Sequence, residues 1–347
     1  MSIGNALQNF RAELVKVDAS ERDSSTTSMR LRKLNLPYHP SMSVLNLLLL
    51  ELAVFTILAC YQWAEFHFWH KSNSYFIEFW IENLIVFVVM YIMSRGSHAF
   101  ASLKNLFRDL WPLLGCHLIL TLDYCMDFKT FTKKSSGTEY YQLTQVLIVP
   151  VMLAVIHGYS STKIPLKVNY VICLILSWKL SILYHDIEFR LSFTSSLMAL
   201  LIALVHGFYI FILKERLNSY SVWQIAFALT SSIVMALPIF ILLQKSSSTV
   251  SDIDFSIKKL FNTAFMALLK MAGLSTTLVL LKQSHPLMAI LTTRCVSIPD
   301  NFIQALIYKL DCVLSASKVC ILTGLEYVVL HIHYIFCQEP SLSSNSH

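Results

Sequence analysis

The sequence predicts an all-α integral membrane protein of ten transmembrane helices, arranged as two inverted five-helix repeats. Three observations lead to that fold class. The chain of 347 residues is 55% hydrophobic and only 14% charged, far from the average soluble domain. Ten segments of roughly 16–25 residues hold few charges, each close to the ~20 residues that cross about 30 Å of hydrocarbon as a helix. Those segments use most of the chain, so no room remains for a separate soluble catalytic domain.

Residues 1–43 read as a polar tail. Ile3, Leu7, Phe10 and Leu14 fall at helical spacing before a Ser/Thr-rich stretch from Ser20 to Ser28, and a solvated segment is expected there. Glu13, Asp18, Glu21 and Asp23 precede any apolar run, which suits neither a secretory signal nor an acid-poor transit peptide, so the first span is expected to be retained. The first repeat, residues 44–184, holds spans at Val44–Trp63, Phe76–Met93, Leu106–Met126, Tyr141–Tyr159 and Val168–Tyr184. Arg108, Asp109 and Asp123 shorten the third, and Gln142 and Gln145 dilute the fourth. The second repeat, residues 193–336, holds Phe193–Leu213, Val222–Leu243, Leu260–Leu281, Pro286–Leu310 and Val319–Phe336, followed by a tail at 337–347.

An even number of spans puts both termini on one side. Fourteen Lys and Arg fall on the side of the N-terminal tail against ten opposite, a bias towards cytosolic tails under the positive-inside rule. Ten spans divide into two fives, and carriers built from inverted repeats form their site at the midplane from helices interrupted by Pro or Gly. Pro150 in the fourth span and Pro299 in the ninth occupy corresponding helices.

An ionised group in hydrocarbon costs at least ~2.5–3.5 kcal/mol on insertion scales, so one kept there faces a partner or a watery cavity. Arg294 lies deep in the ninth span, and its planar fork suits phosphate oxygens; the structural alternative is a pair with Asp300 or Glu326. Lys270, mid-way along the eighth span, reads equally as a ligand to the same anion or as a counter-ion. Lys179 is nearer the end of the fifth span, where snorkelling is favoured over substrate contact. Lys214 and Arg216 close the sixth span as interfacial anchors, with substrate contact the minority reading. Glu51, Glu78 and Glu82 load the first two spans with acid; proton coupling is one reading, and pairing with those cations is the favoured one.

The net charge of +6 is scattered, so no nucleic-acid partner is expected. Eight cysteines without a C-x-x-C read as packing residues. His331 and His333 are two apart and face different ways on a helix, and no metal and no cofactor are expected. There is no Gly-rich phosphate loop and no nucleophile elbow, and His185-Asp186 reads as exposed loop charge. The chain is therefore not expected to be an enzyme.

Leu143 to Leu217 resembles the middle of the nucleotide-sugar transporter and triose-phosphate translocator branch of the drug/metabolite transporter superfamily. Thr144 with Pro150, Lys163, the fifth span, Asp186-Ile187-Glu188-Phe189, and Lys214 with Leu217 follow the order of that branch. Ser284 to Ile321 is similar to its ninth helix and the segment after it. The resemblance implies Arg294 as the phosphate-contacting cation, Thr293 as a hydroxyl donor and Asp311 as the acid after the helix. Departures are plain: the chain has only eight glycines, Ser192-Phe193 stands where Gly-Phe is expected, and Cys320 stands for a Gly.

Resemblance and charges together imply an antiporter of a phosphate-bearing anion, a nucleotide sugar exchanged for a nucleoside monophosphate, in Golgi or endoplasmic reticulum. The substrate-binding set is then Arg294, Lys270, Thr293, Lys179 and Lys214. The expected partners are that phosphorylated small molecule, the lipid bilayer and a second copy of the chain in a homodimer. The alternatives are a non-transporting scaffold or regulatory member of the same fold, an organic-phosphate translocator, and, more weakly, a membrane-embedded transferase.

Overall fold

In hydrocarbon a backbone has no water to bond, so an apolar run closes its N–H and C=O groups within itself as a helix. The computed structural model describes residues 44–69, 72–95, 103–131, 137–159, 166–186, 193–247, 257–295 and 313–338, and every regular element among them is a helix. In chain order these are α1 (Val44–Trp69), α2 (Tyr75–Arg95), α3 (Leu103–Phe131), α4 (Gly137–Tyr159), α5 (Leu166–Asp186), α6 (Phe193–Ser219), α7 (Val222–Met235), α8 (Leu237–Ser247), α9 (Ile257–Gln283), α10 (Pro286–Cys295) and α11 (Val313–Gln338). The expected amphipathic turn at Ile3–Leu14, the Ser20–Ser28 stretch, Lys163, Glu188, Pro299, Asp300 and Asp311 lie outside the described residues. His185 and Asp186 close α5 instead of forming a loop.

By length and composition α1, α2, α6 and α9 can each cross a membrane, and α7 with α8 makes a fifth span if the bent pair is counted as one. Shorter apolar cores occupy α4, α5 and α11 at Val146–Ile156, Val168–Ile182 and Ile321–His333. Large apolar side chains such as Trp111, Trp178, Phe193, Leu242 and Phe261 lie on the outside. Such a surface is stable only against lipid or another protein, and the chain is an all-α, multi-pass membrane protein.

The helices pack across the chain midpoint in a repeating way. α2 lies against α7, α4 against α10 and α5 against α11. Several further contacts come in exchanged pairs: α1 with α9 as α6 with α3, α1 with α10 as α6 with α4, and α2 with α9 as α7 with α3, whereas α2–α8 and α6–α10 have no such counterpart. Within the halves, α3 meets α4 as α9 meets α10, and α4 meets α5 as α10 meets α11. The second half is more closely knit, because α9 also touches α6 and α7 to a degree that the first half does not match. Two glycines sit where helices approach closely. A Cβ on Gly207 of α6 would come within 3.0 Å of Val151 on α4, and one on Gly273 of α9 within 2.9 Å of Leu58 on α1.

The segment expected as one span at Val222–Leu243 is broken at Ala236, with a bend of 49° between α7 and α8. The cause is Pro238, which has no N–H to return to the carbonyl four residues back, that of Val234. The Trp80 indole of α2 donates to this carbonyl at 3.1 Å. At its other end α7 carries a capping box: the Ser221 hydroxyl accepts the Gln224 N–H at 3.2 Å, and the Gln224 side chain accepts the Ser221 N–H at 3.0 Å. Trp80→Phe keeps the ring and removes the indole donor, at the net cost of one hydrogen bond, about 0.5–1.5 kcal/mol. The expected result is a lower unfolding temperature of the purified protein in detergent, and an unchanged temperature would dismiss the role of this bond.

Candidate functional site

Basic groups inside the helices are the natural starting point, and each is held by the protein. Lys179 of α5 is only 2% exposed and lies 2.6 Å from the Glu326 carboxylate of α11. The expectation that it snorkels is therefore corrected: the ammonium is buried against α11, which supplies the counter-charge. Glu326 Oε2 is thereby engaged by Lys179. Lys214 of α6 donates to the carbonyls of Leu281, Lys282 and Ser284 at 2.7, 2.8 and 2.9 Å. An ammonium has three donors, and all three are spent on closing the end of α9.

That closure is completed by His285. Its Nδ1 accepts the Leu287 N–H at 3.3 Å, capping α10, whose first residue is Pro286, the position where a missing N–H costs nothing. Lys214 thus fixes the two-residue connection between α9 and α10 from the end of α6. Thr293 donates to the Ile290 carbonyl at 2.8 Å within its own helix.

Lys270 of α9 belongs to a buried polar cluster with α1, α2 and α3. Its ammonium is 3.4 Å from Glu82 of α2 and lies over the Phe79 ring, 3.7 Å from the centroid, a favourable placement for a cation. Tyr61 donates to the same Glu82 oxygen at 3.1 Å. Glu65 accepts from Tyr75 at 3.2 Å and, on its other oxygen, from Tyr124. Next to the cluster a cavity of about 310 Å³ is lined by residues of α1, the α1–α2 turn, α2 and α9, including Trp69, Asn73, Glu78, Lys259 and Thr263. Lys259 pairs with Glu78 there at 3.5 Å.

A second set of polar groups runs across the bundle. Lys270 acts electrostatically on His117 of α3, which stacks on Tyr209 of α6 with centroids 5.7 Å apart. Tyr209 meets His206 edge-on at 6.3 Å, and His206 Nδ1 lies 3.2 Å from Arg294 of α10. His117, His206 and Tyr209 are each half-buried. Beyond α10, Glu51 of α1 accepts from Tyr327 of α11 at 2.6 Å and has His331 at 3.8 Å. Lys270 and Arg294 thus join through this row of rings, not by direct contact. Among the described residues no three His, Cys, Asp or Glu side chains are placed to hold one metal ion.

Sequence reasoning missed Glu65, His117 and His206 as site members. The first apolar run was ended at Trp63, whereas α1 continues to Trp69 because Glu65 finds its partners inside the protein. The aromatic residues Phe66, Phe68 and Trp69 after it were the available signal. No protein-family model matches the chain, and no curated protein matches it. Class membership accordingly rests on the fold itself, that of a multi-pass helical membrane protein.

Two outcomes follow from these contacts. Lys179→Met alone leaves Glu326 buried and unmatched, at a cost of about 3–5 kcal/mol, whereas Lys179→Met with Glu326→Leu restores most of the stability. A double-mutant cycle in detergent unfolding measures this coupling, and additive losses would refute it. His285, in the connection outside the helices, has its pKa lowered to about 3 by burial, then by the charge of Lys214 and by His333. The native state binds its proton later than the unfolded chain, so its contribution is complete above about pH 6.5 and is lost as pH falls towards 3. Stability should drop by about 2 kcal/mol between pH 7 and pH 5, and His285→Asn should remove that acid-side slope.

Proposed function

We propose that the chain is a ten-span secondary carrier of two inverted five-helix repeats, exchanging a phosphate-bearing anion across an endomembrane. The observation that carries this reading is the exchanged packing of α1–α5 against α6–α11, with a row of polar side chains crossing between the halves at mid-depth. Midplane sites between repeats are where such carriers hold substrate. Arg294, at the end of the described part of α10 and beside His206, is the cation for phosphate oxygens, since its fork binds two of them at once. Lys270 sets the potential of the same row through His117 while its own charge is matched by Glu82. Tyr209, stacked on His117, offers an aromatic face to a base or ribose.

The resemblance of the chain to nucleotide-sugar carriers favours a nucleotide sugar exchanged for a nucleoside monophosphate, in Golgi or endoplasmic reticulum, with both termini in the cytosol. In that role Thr293 is a neighbouring hydroxyl, and Lys179 and Lys214 hold the helices that present the site. Exchange needs no ATP, only rocking of one half against the other.

A scaffold that keeps the fold without transport is the second reading. It is favoured by the way Lys179, Lys214 and Lys270 are each answered by protein groups.

Purified protein in liposomes preloaded with UMP, GMP or CMP separates the two. Carrier function requires uptake of a labelled nucleotide sugar that depends on the trapped monophosphate. Arg294→Ala should lower apparent affinity about 10–100-fold, the loss of a charge-assisted pair of hydrogen bonds, and Arg294→Lys should recover part of it. Folded protein that takes up no member of the panel supports the scaffold.

A further inference from the structure

We propose that Glu65, Glu82 and Lys270 form a proton-binding site filled from the cavity between α1, α2 and α9. The proton site stands on its own geometry; its use in coupling uptake to a pH difference rests on the carrier reading.

Charge is the first argument. Glu65 and Glu82 are 1% and 0% exposed, and between them they have one ammonium, Lys270, at 3.4 Å from Glu82. Glu65 is held by the phenols of Tyr75 and Tyr124, which are neutral. One negative charge is left over in a medium where it costs several kcal/mol, and one proton on either carboxylate brings the cluster to neutrality.

The second argument is an orphaned atom. Glu82 Oε1 takes both Tyr61 and Lys270, whereas its Oε2 is buried with no hydrogen-bond partner. That oxygen is an open acceptor within the cluster.

Among the described residues Lys270 is the cation that acts on both carboxylates. From α3 the cluster meets Tyr124, Cys125 and, through Lys270, His117. From α1 it meets Tyr61. α7, packed on both α2 and α9, has no titratable side chain in its sequence.

Access comes from the cavity of about 310 Å³. Glu78 lines it, one helical turn and about 6 Å of rise before Glu82 on α2, and is linked to Ser74 at 2.6 Å and to Lys259 at 3.5 Å. Thr263 lines it on α9, two turns before Lys270. In the binding step a hydronium ion in the cavity gives its proton to a carboxylate oxygen and leaves as water, with no electron transferred. A proton fits better than a metal cation because it needs a single acceptor, which Glu82 Oε2 offers, whereas a metal ion needs several ligands and no three His, Cys, Asp or Glu among the described residues are placed to hold one.

Infrared difference spectroscopy on the full chain in lipid vesicles, stepped from about pH 4 to about pH 9, reads the site directly. The expected result is a carboxylic-acid carbonyl band that rises and falls with pH. It should vanish in Glu65→Gln or Glu82→Gln, titrate at a different pH in the milder Glu82→Asp, and persist in Glu215→Gln. Absence of such a band in the unaltered protein overturns the proposal, as does its survival in both glutamine variants, or a change driven by sodium at fixed pH. A titrating band without nucleotide-sugar exchange supports the proton site and counts against the carrier reading alone. Exchange without the band does the reverse.

Discussion

An ammonium or carboxylate in hydrocarbon must find its counter-charge within the protein, and the Lys179–Glu326 pair is where that requirement is met most strictly. At 2.6 Å, with 2% and 0% of the side chains exposed, neither group has water as an alternative. Such a pair need not raise stability over two well-packed apolar side chains. What it does is penalise every arrangement in which α5 and α11 are apart, since each would leave a bare charge in the membrane. Helix association in lipid lacks the usual apolar driving force, so this penalty is a large part of what selects one packing among many.

The same rule organises the rest of the bundle, because most buried charges are answered from the other half of the chain. Glu82 of α2 meets Lys270 of α9, Glu51 of α1 meets Tyr327 and His331 of α11, and Lys179 of α5 meets Glu326 of α11. Lys214 of α6 works within the second half, closing α9 so that α10 starts where it does. Arg294 reaches His206 across α10 and α6 only because that junction is fixed. The position of Arg294 is in this sense set by a lysine on another helix.

What could be read from the sequence follows from which constraints are local. The thickness of hydrocarbon is a local constraint on run length, and helices duly occupy all or part of every apolar segment, with residues such as Val44 and Phe193 marking starts that coincide. Partner choice is not local. Lys179 and Glu326 are 147 positions apart, and nothing in either neighbourhood distinguishes a snorkelling lysine from a paired one. Glu65 was overlooked for the converse reason, since a carboxylate beyond an apolar run reads as the end of the run until Tyr75 and Tyr124 are seen around it. The break at Ala236 was legible in principle from Pro238. Its tolerance depends on Trp80, 154 residues away.

The distribution of charge bears on how the two halves relate. The first half places Glu51, Glu65, Glu78 and Glu82 on its helices and the second places Lys259, Lys270 and Arg294 on its own, with Lys179 and Glu326 paired in the opposite sense. Either half alone in a bilayer would expose several ions to lipid at ~2.5–3.5 kcal/mol or more apiece, comparable in sum with the whole stability of a domain. Together they match, and all described residues belong to one compact unit. The two halves of the chain are therefore mutually dependent in a bilayer, since the partners that neutralise the buried ions of one are supplied by the other.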